Sequence, residues 1–202
     1  MDKLNFKLNF IRSHAQKIVL ALFCLALPLF LMLLSYKTIL FFTDLTADQQ
    51  NTIAYLQGKE DLKPDYSGGE ISHLDDVKEV MAYLNYLFYG LKLALTLILT
   101  HQKKNREELL RLFSYGGIAT ISAVLMIFLL SLASFNEVFT VFHQLFFPQG
   151  NWIFPADSLL IRTFPITFFI TISKNIFLLS LFFGIVFISI KYPLNYVRRS
   201  RA

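Results

Sequence analysis

The sequence predicts an all-α integral membrane protein with four transmembrane helices, both termini cytoplasmic and two structured extracytoplasmic loops. Three observations lead there. Of the 202 residues 55% are hydrophobic and 16% charged, with 22 Phe and 9 Tyr, whereas a soluble domain typically has roughly 45–50% apolar and about 25% charged residues. Four long stretches are almost free of charge. The 19 Lys and Arg behind the net charge of +5 flank those stretches and form no separate basic face. The same composition excludes disorder and a disulfide scaffold, since apolar content is high and the single Cys has no internal partner.

Residues 18–36 form the first span, an uncharged run of 19 positions that as a helix covers roughly the 30 Å of hydrocarbon. Its basic flank (Lys3, Lys7, Arg12, Lys17) resembles that of a signal peptide. The run is long, however, and ends at Ser35-Tyr36-Lys37 without a small-residue cleavage site, so it reads as a retained anchor. Pro28 lies mid-span, where neighbouring helices make a kink tolerable. The third span, about 114–134, sits in another uncharged run. The second, about 80–100, and the fourth, about 165–190, each contain one lysine, Lys92 and Lys174. Such lysines ordinarily snorkel to the nearer interface, although an intramembrane charge is also a candidate functional group. The whole chain, 1–202, reads as one membrane domain.

Cations fix the orientation. Four lie in the N-terminal tail, four between spans two and three (Lys103, Lys104, Arg106, Arg111) and four in the C-terminal tail (Lys191, Arg198, Arg199, Arg201). These twelve belong in the cytoplasm. The remaining loops, about 37–79 and 135–164, hold only Lys37, Lys59, Lys63, Lys78 and Arg162 but 11 of the 14 acids, and so face outward. The positive charge is therefore a topological signal, and no nucleic-acid partner is expected.

Loop one is too long for a connector. Thr46-Ala47-Asp48-Gln49 matches a capping box, and the helix it starts should stop at Gly58. Pro64 and Ser67-Gly68-Gly69 give turn chemistry after a short extended segment at 62–66. Ser72-His73-Leu74-Asp75 then reads as a second cap, opening a helix that enters span two with His73 in its first turn. Asp76 shares that face, in reach of the imidazole. Loop two carries seven Phe and Trp rings, from Phe139 to Phe164, a density that suits the headgroup region. Its stretch up to Phe147 reads as an interfacial helix containing His143, followed by a turn at Pro148-Gln149-Gly150-Asn151.

His73 and His143 are the two histidines on the outer side; His14 and His101 fall inside. Left to spacing alone, the outer pair is either two solvated side chains or one site assembled from both loops. Asp75 and Asp76 ordinarily serve the helix macrodipole. A zinc site from His73, Asp75 or Asp76 and His143 is a further arrangement, with Asp157 another candidate ligand, but no HExxH or CxxC run accompanies it. Cys24 lies mid-span with no base beside it, and no outer serine sits in a G-x-S-x-G elbow.

His73 to Lys78 at the entry to span two, together with Phe142-His143 to Phe147 and Asn151-Trp152-x-Phe154 before span four, resembles the lipoprotein intramolecular transacylase (Lit) family of low-GC Gram-positive bacteria. The likeness extends to Asp157, Leu159 to Ile161 and Pro165-x-x-Phe168-Phe169, covering most of the chain. It implies an enzyme of the cell membrane, its active site at the extracytoplasmic face. That enzyme moves the sn-2 acyl chain of a diacylglyceryl-modified lipoprotein onto the α-amino group of the same N-terminal cysteine, leaving a lyso-form lipoprotein. The resemblance implies that His73 and His143 are catalytic. Asp76, Lys78, Asn151 and Trp152, which lie in the same motif blocks, are expected to support or orient them. No cofactor and no metal are expected, and the lipoprotein and membrane lipid are the expected partners. Where family members commonly place an acid after the proline this chain has Ile166, so no carboxylate role carries over there.

Elementary chemistry agrees with that assignment. The substrate amine is its own nucleophile, so no Ser or Cys nucleophile is required. An α-ammonium of pKa about 7.7–8.0 must lose a proton before attack and the departing glycerol oxygen must gain one, tasks that suit two imidazoles. A tetrahedral oxyanion needs donors, backbone N–H groups or a side chain such as Asn151. The competing readings are a metal-dependent membrane hydrolase on the same histidines and a non-catalytic four-span scaffold or transporter accessory protein. No internal repeat of the transporter kind is visible.

The cation count predicts that a thiol-reactive, membrane-impermeant reagent applied to intact cells tags a Ser67→Cys variant and spares Ser200→Cys. Labelling at 200 reverses the orientation.

Overall fold

The structure is a computed structural model that describes the backbone of residues 2–190 and side chains from His14 onward. The cations at Lys3, Lys7 and Arg12 and the C-terminal group Lys191, Arg198, Arg199 and Arg201 fall outside the described side chains. Seven helices follow one another among the described residues: α1 (Asp2–Phe42), α2 (Ala47–Leu56), α3 (Gly68–Gln102), α4 (Arg106–Ala133), α5 (Phe135–Phe146), α6 (Leu159–Thr163) and α7 (Ile166–Ser189). Four of them, α1, α3, α4 and α7, are long and apolar enough to cross a membrane. Much of their surface is exposed leucine, isoleucine and phenylalanine, such as Leu25, Leu97, Leu129 and Phe182, which suits contact with lipid chains and would be costly in water.

Local chemistry sets the boundaries. At α2 the backbone N–H of Gln49 donates to Thr46 Oγ1 (3.3 Å) and that of Thr46 to Gln49 Oε1 (3.1 Å), the two halves of a capping box. Gly58, at φ +70°, closes the turn after it. Residues 61–67 run without helix or strand. The next helix departs from expectation: α3 starts at Gly68, four residues before the Ser72 cap. Its box is Ser67 and Glu70, with the Ser67 N–H donating to Glu70 Oε2 (2.7 Å) and the Glu70 N–H to Ser67 Oγ (3.4 Å). His73 therefore sits in the second turn of α3, held from both ends. Ser134, in extended conformation, separates α4 from α5. The five-residue α6, capped by Ser158, was not foreseen from sequence.

The chain divides into two compact units to which α1, α3, α4 and α7 each contribute a part. The first comprises the described parts of Met1–Leu33, Gly90–Leu125 and Leu178–Ala202. It is built on close approach of backbones. A Cβ on Gly116 would lie 2.7 Å from the Phe23 ring, and one on Gly117 would lie 2.7 Å from the Gly184 carbonyl oxygen. A Cβ on Gly184 would in turn meet Ile121 at 2.8 Å. Small residues that let helices touch along their backbones are a main source of packing energy in lipid, where no hydrophobic effect drives association. Thr120, fully buried, returns its hydroxyl to the Gly116 carbonyl (2.9 Å) and leaves no polar group open.

The second unit, Leu34–Tyr89 with Met126–Phe177, holds all of α2, α5 and α6. Tyr66, Leu74 and Leu160 form its buried centre, with Tyr55, Leu56, Leu62, Phe154, Leu159 and Phe164 packed around them. Polar groups tie residues 42–79 to residues 135–164. Glu70 Oε1 accepts the Leu160 N–H (2.7 Å), and Gln49 Nε2 donates to the Thr163 carbonyl (2.7 Å). Thr52 and Tyr66 share a buried hydroxyl bond of 2.9 Å. Asn51 gathers the loop after α2, accepting from the Lys63 N–H and donating to the Asp61 carbonyl.

Gly117→Ala is expected to lower the thermal unfolding temperature of the detergent-solubilised protein, because a backbone oxygen 2.7 Å away cannot yield as a flexible side chain would; overpacking of this kind costs about 1–3 kcal/mol. Gly90→Ala, with nothing within 4 Å of its added carbon, leaves that temperature unchanged or raises it. Equal behaviour of the two variants contradicts the close-approach reading.

Candidate active site

His73 comes from α3 and His143 from α5, and both are buried, 6% and 9% exposed. Their ring centres lie 6.2 Å apart with planes inclined by 31°. The structure therefore brings together the two histidines that spacing alone left as either separate or convergent.

Each ring is fixed differently. On α5, Phe139 precedes His143 by one helical turn, and its carbonyl oxygen lies 2.8 Å from His143 Nδ1. A carbonyl only accepts, so Nδ1 carries the proton and Nε2 presents a lone pair. The Phe139 ring lies 4.0 Å from the imidazole and the Trp152 ring 4.9 Å, centre to centre. Phe147 flanks both, its ring 4.9 Å from that of His73 and 5.7 Å from that of His143. Phe154 closes the other side of His73 at 5.8 Å. Burial among these rings pushes the His143 pKa below its ordinary value, against the opposing pull of the Phe139 carbonyl. A neutral, partly dehydrated imidazole results, the form able to accept a proton near neutrality.

Asp76 does not bond an imidazole. Its Oδ2 accepts Gln149 Nε2 (2.8 Å) and Asn151 Nδ2, both from the turn that follows α5. Gly150 makes that turn at φ +81°, which only glycine adopts without strain. Trp152 is delivered by the same turn. Two polar atoms at the site are buried without a hydrogen-bond partner, His73 Nδ1 and Asn151 Oδ1.

Lys78 points elsewhere. Its ammonium lies 3.9 Å above the Tyr55 ring of α2, while the Tyr55 hydroxyl donates to Asp75. That bond to Asp75, with burial and the charges of Asp75 and Asp61, pushes the phenol up to about 12. Asp75, Lys78 and Tyr55 thus pin α2 to α3 at some remove from the imidazoles. Among the described residues no three His, Cys, Asp or Glu side chains are grouped to hold a metal ion. The zinc arrangement of His73, His143 and Asp75 or Asp76 consequently lacks its third ligand, since Asp75 is turned to Tyr55 and Asp76 to the amides. Of the residues that shape the site, sequence reading missed Gln149 and Glu70. Ser67-x-x-Glu70 is a readable capping box; nothing in the sequence marks Gln149.

A family model described as lipoprotein intramolecular transacylase Lit matches residues 36–169. No curated protein matches the chain. Among solved structures it is similar to the in meso structure of the membrane integral lipoprotein intramolecular transacylase Lit from Bacillus cereus, with a TM-score of 0.79 at 22% identity, covering 93% of this chain and 99% of that one. A variant of the Bacillus cereus protein with a histidine replaced by arginine gives 0.79 at 20% identity, covering 98% and 100%. The corresponding alanine variant gives 0.76 at 21%, covering 95% and 99%. At these identities the likeness is one of fold.

A histidine whose folded pKa is depressed adds stability that is present above its ordinary value of 6.5 and is lost as pH falls through the folded value. The apparent unfolding temperature should therefore drop between pH 7.5 and pH 5, and drop less in His143→Gln. Equal drops in the two proteins would show that burial of His143 does not control its titration.

Proposed function

Because the chain belongs to the lipoprotein intramolecular transacylase family, and is thereby a multi-pass membrane acyltransferase, we propose that His73 and His143 move an acyl chain within a diacylglyceryl-modified lipoprotein. The chain leaves the sn-2 oxygen of the glyceryl group and joins the α-amino group of the same N-terminal cysteine. The product is a lyso-form lipoprotein.

One observation carries this reading: two buried imidazoles with ring centres 6.2 Å apart, walled by aromatic rings. That separation lets both rings address one small reacting group. In the proposed reaction one imidazole takes the proton from the α-ammonium, and the freed amine attacks the sn-2 ester carbonyl. As the tetrahedral intermediate collapses and the carbon–oxygen bond breaks, the other imidazole takes the second proton of the attacking nitrogen and delivers it to the departing glycerol oxygen, leaving an amide and a free hydroxyl, while the first proton passes on to water. Nucleophile and electrophile belong to one molecule, so holding them in line supplies much of the rate through effective molarity. The rings of Phe139, Phe147, Trp152 and Phe154 exclude the water that would otherwise hydrolyse the ester.

The site opens to lipid at the extracytoplasmic face in this reading, supported by the acidic loops that carry both histidines and the basic flanks elsewhere. The lipoprotein arrives from the bilayer, its acyl chains already in the phase that the exposed apolar helices face. No nucleic acid takes part. The chemistry assigned to the two imidazoles needs no bound metal, since a cation would occupy the lone pairs they use.

His73→Ala and His143→Ala should each reduce transfer at least about 100-fold, the scale of general acid–base catalysis, with membrane insertion unchanged. Mass spectrometry of the lipoprotein N-terminal peptide reads the outcome: in the active protein one acyl chain moves to the α-amine at constant total mass. Transfer that survives either substitution removes that histidine from the mechanism.

A further inference from the structure

Asn151 Oδ1 and His73 Nδ1 are both buried, and neither has a hydrogen-bond partner. Leaving a buried polar atom unpaired is costly, and here the two orphaned atoms belong to side chains that interact with one another. The orientation of the Asn151 amide is not free. Asp76 Oδ2, an ionised carboxylate oxygen, only accepts, so the end of Asn151 that faces it must be the NH2 group. The carbonyl end is thereby directed away from Asp76. Gln149 Nε2 fills a second donor position on the same oxygen and steadies the carboxylate. An unprotonated Nδ1 opposite an amide oxygen would set two lone pairs against each other in a site with little water.

We propose that Asn151 is a positioning residue: its Oδ1, aimed by Asp76, accepts the Nδ1–H of His73 and so fixes the tautomer that presents Nε2 to the substrate. That bond satisfies both orphaned atoms. The two imidazoles come to present the same nitrogen by different means. His143 is set by the Phe139 backbone carbonyl of its own helix. His73 is set by a side chain reached through a carboxylate one helical turn along α3. Asn151 is therefore engaged at both ends, its NH2 group by Asp76 and its oxygen by His73, which removes it as the donor for the oxyanion. The proposal rests on the reading of His73 as a proton-transfer group.

The test uses the full chain in lipid nanodiscs with ¹⁵N-labelled histidine, the His73 signals being assigned by their loss in His73→Gln. Imidazole ¹⁵N shifts distinguish Nδ1–H from Nε2–H directly. In the native protein above its titration range His73 should be the Nδ1–H tautomer, and in Asn151→Ala and Asp76→Asn it should become a mixture. With a synthetic diacylglyceryl-cysteine lipopeptide, kcat in both variants should fall roughly 10–100-fold, as it does when an orienting partner is removed, with KM nearly unchanged. An Nε2–H tautomer in the native protein, an unchanged tautomer in the variants, or a shifted tautomer with unchanged kcat each overturns the proposal. If Asn151→Ala fails to fold, Asp76→Asn decides alone, since it keeps the volume and only frees the amide to turn over. Failure of the underlying reading is separate: it appears as transfer that survives His73→Ala, whatever the tautomer.

Discussion

Glu70 is the constraint on which the unit that carries both histidines depends. Its carboxylate is almost fully buried, 3% exposed. One oxygen accepts the first N–H of the α3 cap, from Ser67, and the other accepts the N–H of Leu160 at the start of α6. Removing a charge from water is expensive unless each lone pair finds a good donor, so the two segments must meet there for the fold to be stable. Everything near the site inherits that geometry. His73 follows three residues later on a helix already in register, and Phe154 and Leu159 are drawn against Tyr66 and Leu74.

The two imidazoles show how a site is fixed by ordinary means. α5 contributes its own backbone carbonyl to His143, an arrangement wholly local to one helical turn. In the arrangement proposed above, His73 is instead set by Asn151, from a turn more than seventy residues away that Gly150 shapes and the Asp76 carboxylate holds. Aromatic rings then lower the local polarity, which favours the neutral imidazole and strengthens each remaining hydrogen bond. The acyl transfer proposed above asks for little more than this: two proton carriers at a fixed separation, shielded from water, beside a substrate that holds its own nucleophile and electrophile.

The remaining polar residues divide by what they touch. Lys78 and Asp75, adjacent in sequence to the site, serve the docking of α2 through Tyr55. Asp76, one residue from Asp75, grips the Gln149 and Asn151 amides of the turn after α5. Neighbouring positions on a helix point about 100° apart, so proximity in sequence says little about shared purpose. In the unit that carries Gly116, Gly117 and Gly184, by contrast, the absence of side chains is what matters, because helix backbones approach until a single added carbon would collide.

Composition and short-range spacing account for one group of features. Apolar length places the four long helices, the Thr46-Gln49 box starts α2, and the phenylalanine run to Phe146 forms α5; each is decided within a turn or two of helix. The Ser67-Glu70 box is as legible as the Ser72 cap, and it is the one that starts α3 and sets His73 in the second turn. Long-range packing sets the convergence of His73 and His143, the grip of Asp76 on two amides and no imidazole, the seat of Lys78 over Tyr55 of α2, and the docked turn of α6. These contacts join residues 20 to 90 positions apart. No periodicity encodes them, and they are selected by whether buried charges and amides can all be satisfied at once.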